Sequence, residues 1–201
     1  MVAGVNRFLR ALPGPRRRLS VSTLMRDARR RTRLENFGDE SFVEPLEHLL
    51  ESIESDAELH PVGGWITEQR LLALLSNRLR IEECFRSHPE IEEQVIQPPL
   101  VIAGLQRTGT TMLHRLLASD PDFRALASWE SLSPAPLSGE RKGQGRVRIR
   151  QARIAQRGLS YMAPDFFAIH PVEALAPEED VLLLDLSLRS TVPEATLRVP
   201  T

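Results

Sequence analysis

Apolar side chains before residue 97 recur three and four positions apart, which is the spacing of one face of an amphipathic helix. Asp39 or Ser41 is expected to open a helix whose apolar stripe consists of Phe42, Val43, Leu46, Leu49, Leu50 and Ile53. The stretch from His60 to residue 64 breaks the pattern. A second helix, expected to start near Thr67, has the stripe Leu71, Leu72, Leu74, Leu75, Leu79 and Ile81. Residues 21–96 are therefore predicted to form a helical region.

The pattern changes at Gln97-Pro98-Pro99, after which residues 100–103 form a continuous apolar run. Such a run is typical of a parallel strand that is buried on both faces. Glycines and threonines follow at once, and then apolar residues return at helical spacing, namely Met112, Leu113, Leu116 and Leu117. This order of strand, tight loop and helix predicts an α/β fold, in which a P-loop-type parallel sheet is flanked by helices.

The segments that follow are less regular. Residues 123–129 favour a second short strand or an extended segment, and a helix is expected from about Arg146 onward. Residues 178–188 fit either a helix or a strand. These patterns divide the chain into three parts. They are an irregular basic arm over residues 1–20, a helical lead-in over 21–96 and the N-terminal part of a P-loop domain over 97–201.

Composition narrows the classes of function. The 201 residues have a net charge of −1, and aromatic residues make up 5%, so nothing in the overall balance indicates nucleic-acid binding. No apolar run is long enough to cross a bilayer. Cys84 is the single cysteine and cannot form an internal disulfide, which favours a cytoplasmic location. Residues 1–33 are rich in arginine, and this composition is typical either of a transit peptide or of a basic arm followed by a basic helix.

The loop from Gly104 to Thr111 has the spacing of a phosphate-binding loop, with two glycines and a final threonine. Glycines let backbone N–H groups converge, and the helix that follows adds partial positive charge, so the loop can cradle an anion. The lysine of the nucleoside-triphosphate pattern is replaced by Thr110. Because a triphosphate needs this lysine together with Mg²⁺, the substitution argues against a kinase.

The same loop resembles the Pro-Arg-Ser/Thr-Gly-Thr-Thr loop of bacterial and tyrosylprotein-type sulfotransferases, which use 3′-phosphoadenosine-5′-phosphosulfate (PAPS). Trp129-Glu130 and His170-Pro171 also resemble this family, as does the stretch from Leu113 to Pro121. Gln106 stands where the family usually has proline. The resemblance implies that PAPS is the co-substrate and that it is bound by Gln106, Arg107, Thr108, Gly109, Thr110 and Thr111.

Sulfuryl transfer needs a base for the acceptor and donors for the transferring group, and it requires no metal. The resemblance places the base at Glu130, whose alternative role is that of an exposed or capping acid. Arg107 is the candidate stabiliser of charge, or else the partner of a nearby acid. His114 and His170 are weaker candidates, because a lone histidine among apolar neighbours is usually a packed residue.

The resemblance also implies an arginine and a serine for the 3′-phosphate of PAPS, at positions that would follow residue 201. The chain is therefore expected to be an incomplete sulfotransferase with little or no turnover by itself. Its acceptor would be a small hydroxylated molecule or a lipid, and the oligomeric state is left open. The alternatives are an inactive anion-binding remnant and a kinase with a degenerate loop.

Overall fold

The computed structural model describes residues 19–105, 108–140, 144–170, 172–197 and 199. Within these ranges the secondary structure is helical, apart from one isolated antiparallel bridge between Ala127 and Pro177. The predicted parallel sheet is therefore wrong for the described chain. Residues 100–103 are irregular, and Leu100 and Val101 are 61% and 73% exposed. A parallel strand is held by hydrogen bonds to neighbouring strands, and the described residues form no strand beside this segment.

The chain divides into two compact units. One unit contains the residues up to Cys84 together with those from Leu184 onward, and the other is Phe85–Leu183. The sequence-based division at residues 20 and 96 stays a prediction.

Three helices build most of the first unit: α1 (Val21–Thr32), α2 (Val43–Ser55) and α3 (Pro61–Ser87). Ser20 caps α1, because its hydroxyl oxygen accepts a hydrogen bond from the Thr23 N–H at 3.3 Å. The expected start of α3 near Thr67 was wrong. Pro61 opens the helix six residues earlier, and a proline is favourable at a first helical position, where its missing N–H costs little.

The apolar stripes of these helices meet in one core. Its buried members are Leu24, Ala28, Phe37, Phe42, Leu46, Leu49, Leu71, Leu72, Leu75, Leu79 and Leu188. Leu188 brings the end of the chain back to this unit. There Arg70 of α3 also forms an ion pair with Asp185, whose side chain is 4% exposed. The predicted stripes of α2 and α3 thus supply most of the core, as their helical spacing requires.

The second unit contains a short 3₁₀ helix at Pro89–Ile91 and the helices α4 (Thr110–Leu117), α5 (Ser128–Leu132), α6 (Arg146–Met162), α7 (Pro164–Ile169) and α8 (Val181–Leu184). Helix α6 packs against both α5 and α7. Of the two alternatives for residues 123–129, a strand is absent from the described structure, while Ala127 is extended and forms the isolated bridge before Ser128 opens α5. A 3₁₀ helix (Asp185–Ser187) and α9 (Val192–Thr196) complete the described chain in the first unit.

Gly145 shows why the start of α6 needs a glycine. Its φ is +35°, and a Cβ added to it would lie 2.7 Å from Cη2 of the Trp129 ring. A side chain is excluded at this position both by the backbone conformation and by the indole. In the part of the chain that the structure describes, no helix is both long and apolar enough to cross a membrane.

Candidate phosphate loop and catalytic segment

The candidate phosphate loop is described on both sides of Gln106 and Arg107, which lie outside the described residues. The hydroxyl of Thr108 donates a hydrogen bond to the carbonyl oxygen of Leu105 at 2.6 Å. The loop is exposed here, with the Leu105 side chain at 81% and Thr108 also open to solvent.

Gly109 makes the transition from the loop to helix α4. It is the N-cap residue with φ +90° and ψ 12°, a left-handed conformation that favours glycine, and its carbonyl accepts the N–H of Leu113 at 3.0 Å. The first N–H groups of an α-helix have no acceptor within the helix. Those of Thr110 and Thr111 therefore face the loop as donors at the positive end of the helix dipole.

Gly104 lets the two ends of the loop approach each other. A Cβ at this position would lie 2.9 Å from Cγ2 of Thr110 and 3.1 Å from Oγ1 of Thr108. Gly104 and the start of α4 therefore lie close together, at a spacing that leaves no room for a larger residue. Gly109 thus adopts the positive φ that a loop glycine permits, and Gly104 allows the close approach of Thr110, while anion binding by the loop stays a prediction. The first turn of α4 contains no acidic residue that would repel an anion.

Glu130 lies in the first turn of α5, and its carboxylate has two partners. One oxygen accepts the backbone N–H of Ala127 at 3.0 Å, which caps the helix. The other accepts a hydrogen bond from Arg124 at 3.0 Å. The Glu130 side chain is 22% exposed and that of Arg124 is 78% exposed, so the carboxylate can be reached from solvent. The capping role that the sequence left open is present, and the role of Glu130 as a base stays a prediction.

Residues 173–178 connect the helix of the loop with the helix of Glu130. On one side, Glu173 accepts a hydrogen bond from Arg115 of α4 at 3.1 Å. On the other side, the carbonyls of Ala174 and Ala176 accept hydrogen bonds from the first two backbone N–H groups of α5, both at 3.0 Å. The backbone N–H of Glu178 donates to the Leu126 carbonyl at the same distance. The sequence pattern does not reveal this connection, because the segment contributes mostly main-chain hydrogen bonds, which have no side-chain signature.

Two histidines complete the predicted candidates. His170 lies with Nε2 3.7 Å from a carboxylate oxygen of Glu178, and its ring packs against Phe166 with 5.8 Å between centroids. His114 is half-buried on α4, and its carbonyl accepts the N–H of Ala118. The contacts with Glu178 and Phe166 give the His170 side chain structural partners. Within the described ranges, no group of three or more His, Cys, Asp and Glu side chains is arranged to hold a metal ion.

Comparisons of both sequence and structure with known proteins point to sulfotransferases. Residues 98–201, slightly over half of the chain, match the sequence profile of the Sulfotransferase family. The structure is similar to that of sulfotransferase STF1 from Mycobacterium tuberculosis, with a TM-score of 0.69, 30% identity, and coverage of 91% of this chain and 51% of STF1. Sulfotransferase STF9 from Mycobacterium avium shares the fold, with a TM-score of 0.72, 22% identity, and coverage of 92% and 48%. The chain thus spans about half the length of these structures. A search of curated proteins finds no match.

Proposed function

The chain belongs to the sulfotransferase family, and we propose that it takes part in the transfer of a sulfuryl group from PAPS to a hydroxyl or amine acceptor. One observation carries the proposal. The residues that match the family contain a loop in which Gly109 adopts a left-handed conformation at the start of α4, while Gly104 is packed against Thr110. A left-handed glycine before a helix supports the proposal, because backbone N–H groups at a helix start can bind an anion.

The loop would bind the 5′-phosphosulfate of PAPS. The N–H groups of Thr110 and Thr111 and their hydroxyls would donate to the phosphate oxygens, and Arg107 would donate to the sulfonate through its forked guanidinium. Neutral threonine at position 110 suits a ligand with less charge at this point than a nucleoside triphosphate. No observation favours the kinase alternative.

Glu130 would act as the base. In the transfer step the acceptor oxygen forms a bond to sulfur, and the bond between sulfur and the phosphate oxygen breaks. 3′-Phosphoadenosine 5′-phosphate (PAP) leaves with that electron pair, while the acceptor proton moves to the Glu130 carboxylate. The oxygen now bound by Arg124 is the one available for this proton, because the exposed arginine can turn into solvent while the Ala127 N–H keeps the helix capped. The acceptor is proposed to be a small hydroxylated molecule or a lipid.

Titration calorimetry of the 201-residue chain with PAP, and separately with ATP and Mg²⁺, tests the proposal. We expect saturable binding of PAP, binding of ATP that is at least about tenfold weaker, and a loss of PAP affinity of roughly tenfold or more in Arg107→Ala. Arg189→Ala, which removes an exposed arginine of the other unit, is the matched control and should leave the affinity unchanged. Absence of PAP binding, or equal binding of ATP, would overturn the proposal. A folded chain that binds neither PAP nor ATP would instead support the inactive remnant.

A further inference from the structure

Helix α6 exposes a stripe of four arginines that the candidate site does not use. Arg146, Arg150, Arg153 and Arg157 are spaced four, three and four residues apart, which places them on one face of the helix. All four are exposed. The stripe extends about 16 Å along the helix axis. The face turned toward the rest of the unit contains the buried Ala152 instead.

Among the residues that the structure describes, these arginines have no paired counter-charge. In the described ranges, no ion pair or hydrogen bond connects any of the four guanidinium groups to another residue. The positions outside those ranges include no aspartate or glutamate, so the sequence offers no further carboxylate side chain as a partner. Arg148 on the same helix is different, because it is 10% exposed and is paired with Glu140. Four unpaired positive charges on one face are therefore a local feature of a chain whose net charge is −1.

An apolar stripe runs beside the arginines. Val147, Ile154 and Tyr161 are seven residues apart and share a face, with exposures of 42%, 62% and 63%. At about 100° per residue, this face is adjacent to the arginine stripe and lies on the solvent side of α6. An exposed helix face that combines arginines, large aliphatic side chains and a tyrosine is typical of helices that lie in the headgroup region of a membrane.

We propose that α6 is a docking surface for an anionic lipid membrane, with its axis parallel to the bilayer surface. The arginines would contact lipid phosphates, while Ile154 and Tyr161 would enter the boundary between headgroups and acyl chains. A nucleic acid would satisfy the arginines but would leave the apolar stripe exposed to water, whereas a bilayer surface offers both lipid phosphates and an apolar boundary. The membrane is therefore the partner that fits both stripes. The proposal rests on α6 alone and does not depend on the phosphate loop or on Glu130.

Flotation of the 201-residue chain with lipid vesicles tests this inference. We expect binding to phosphatidylcholine vesicles that contain roughly 30% phosphatidylglycerol, and little binding to pure phosphatidylcholine. Arg150→Gln combined with Arg153→Gln should weaken binding roughly tenfold. The charge-matched control is Arg30→Gln combined with Arg189→Gln, two exposed arginines of the other unit, and it should lose much less. Equal losses in the two double variants would mean unspecific charge attraction and would overturn the proposal.

The apolar stripe is tested by Ile154→Ser in vesicles of the same composition. We expect it to weaken binding several-fold, and the loss should persist when salt is raised from about 0.1 M to about 0.5 M, because burial of apolar surface is not screened. Far-UV circular dichroism shows whether each variant still folds. Unchanged vesicle binding of Ile154→Ser, or tight binding to duplex DNA with none to vesicles, would overturn the membrane assignment. A failure of PAP binding would leave these results untouched, so the two proposals fail separately.

Discussion

Arg148 and Glu140 form an ion pair in which the two side chains are only 10% and 8% exposed. Nε of Arg148 donates to both carboxylate oxygens at 3.1 and 3.0 Å, and Nη1 donates to the Ser133 carbonyl at 2.7 Å. The guanidinium also lies 4.7 Å from the centre of the Trp129 ring. One buried cation thus joins α6, the loop that precedes it and the helix that contains Glu130.

Removal of one member of this pair should be costly, because it leaves the other charge buried and unpaired. We expect Glu140→Ala to lower the free energy of unfolding by about 3–5 kcal/mol, measured by urea denaturation. Arg153→Gln, an exposed arginine of the same helix, is the control and should change it by less than about 0.5 kcal/mol. A cost below about 1 kcal/mol for Glu140→Ala would show that water reaches the pair.

The left-handed backbone conformation of Gly109 can be tested separately from steric contacts of an added side chain. Among the described residues, no atom beyond the immediate chain neighbours lies within 4 Å of a Cβ at this position, so Gly109→Ala adds strain through φ +90°. We expect a loss of about 1–2 kcal/mol in stability and a weaker affinity for PAP, measured by thermal unfolding and calorimetry. Gly158→Ala, at a helical glycine with room for a methyl group, should instead stabilise the protein by about 0.5–1 kcal/mol. The same sign of effect in both variants would contradict the left-handed conformation.

Two substitutions of Glu130 separate its capping role from its role as a base. Glutamine retains an oxygen that can accept the Ala127 N–H, whereas alanine removes the cap. We expect Glu130→Gln to keep its stability and PAP affinity, and to lower whatever sulfate transfer the wild type shows with labelled PAPS by roughly 100-fold or more. Glu130→Ala should in addition lose about 1 kcal/mol of stability. Wild-type transfer rates in Glu130→Gln would mean that Glu130 only caps α5.

Ser128 has a hydroxyl that is buried without a hydrogen-bond partner among the described residues, and the residue is 1% exposed. Removal of an unsatisfied buried group relieves its desolvation cost. Ser128→Ala should therefore stabilise the protein by about 1 kcal/mol, measured as an increase in the urea midpoint. Ser131→Ala is the matched control, because its equally buried hydroxyl donates to the Ala127 carbonyl and its loss should destabilise. Destabilisation by Ser128→Ala would reveal a bound water at this hydroxyl.

Hydrogen bonds from Ser41 lower the pKa of Asp39 below 3.8, with a smaller contribution from the charge of Arg78. A depressed carboxyl pKa contributes stability that is present above the unfolded-state pKa and is lost as the pH falls through the folded-state pKa. Between about pH 5 and about pH 2, the wild type should therefore lose slightly more stability than Asp39→Asn. The titration of the Asp39 carboxyl by NMR checks the cause directly, and a midpoint at or above 3.8 would contradict it.

Features that depend on near neighbours along the chain could be predicted from the sequence alone. The spacing of Leu71, Leu75 and Leu79 placed one face of α3 in the core, because helical periodicity repeats over a few residues. Gly109 was assigned to a loop that needs unusual backbone angles, and its φ is positive. The loop with its following helix also indicated the family to which the chain belongs.

The tertiary structure decided what depends on partners distant in sequence. Residues 100–103 have the composition of a buried strand, yet they lack the neighbouring strand that would supply hydrogen bonds, and they remain irregular and partly exposed. Glu130 proved to cap α5, and residues 173–178 connect α5 to α4 through main-chain and ion-pair contacts. Local patterns encode helices and glycine turns, because these form within one short segment. Strand pairing and long-range ion pairs form only when two distant segments meet, so they are seen only in the folded chain.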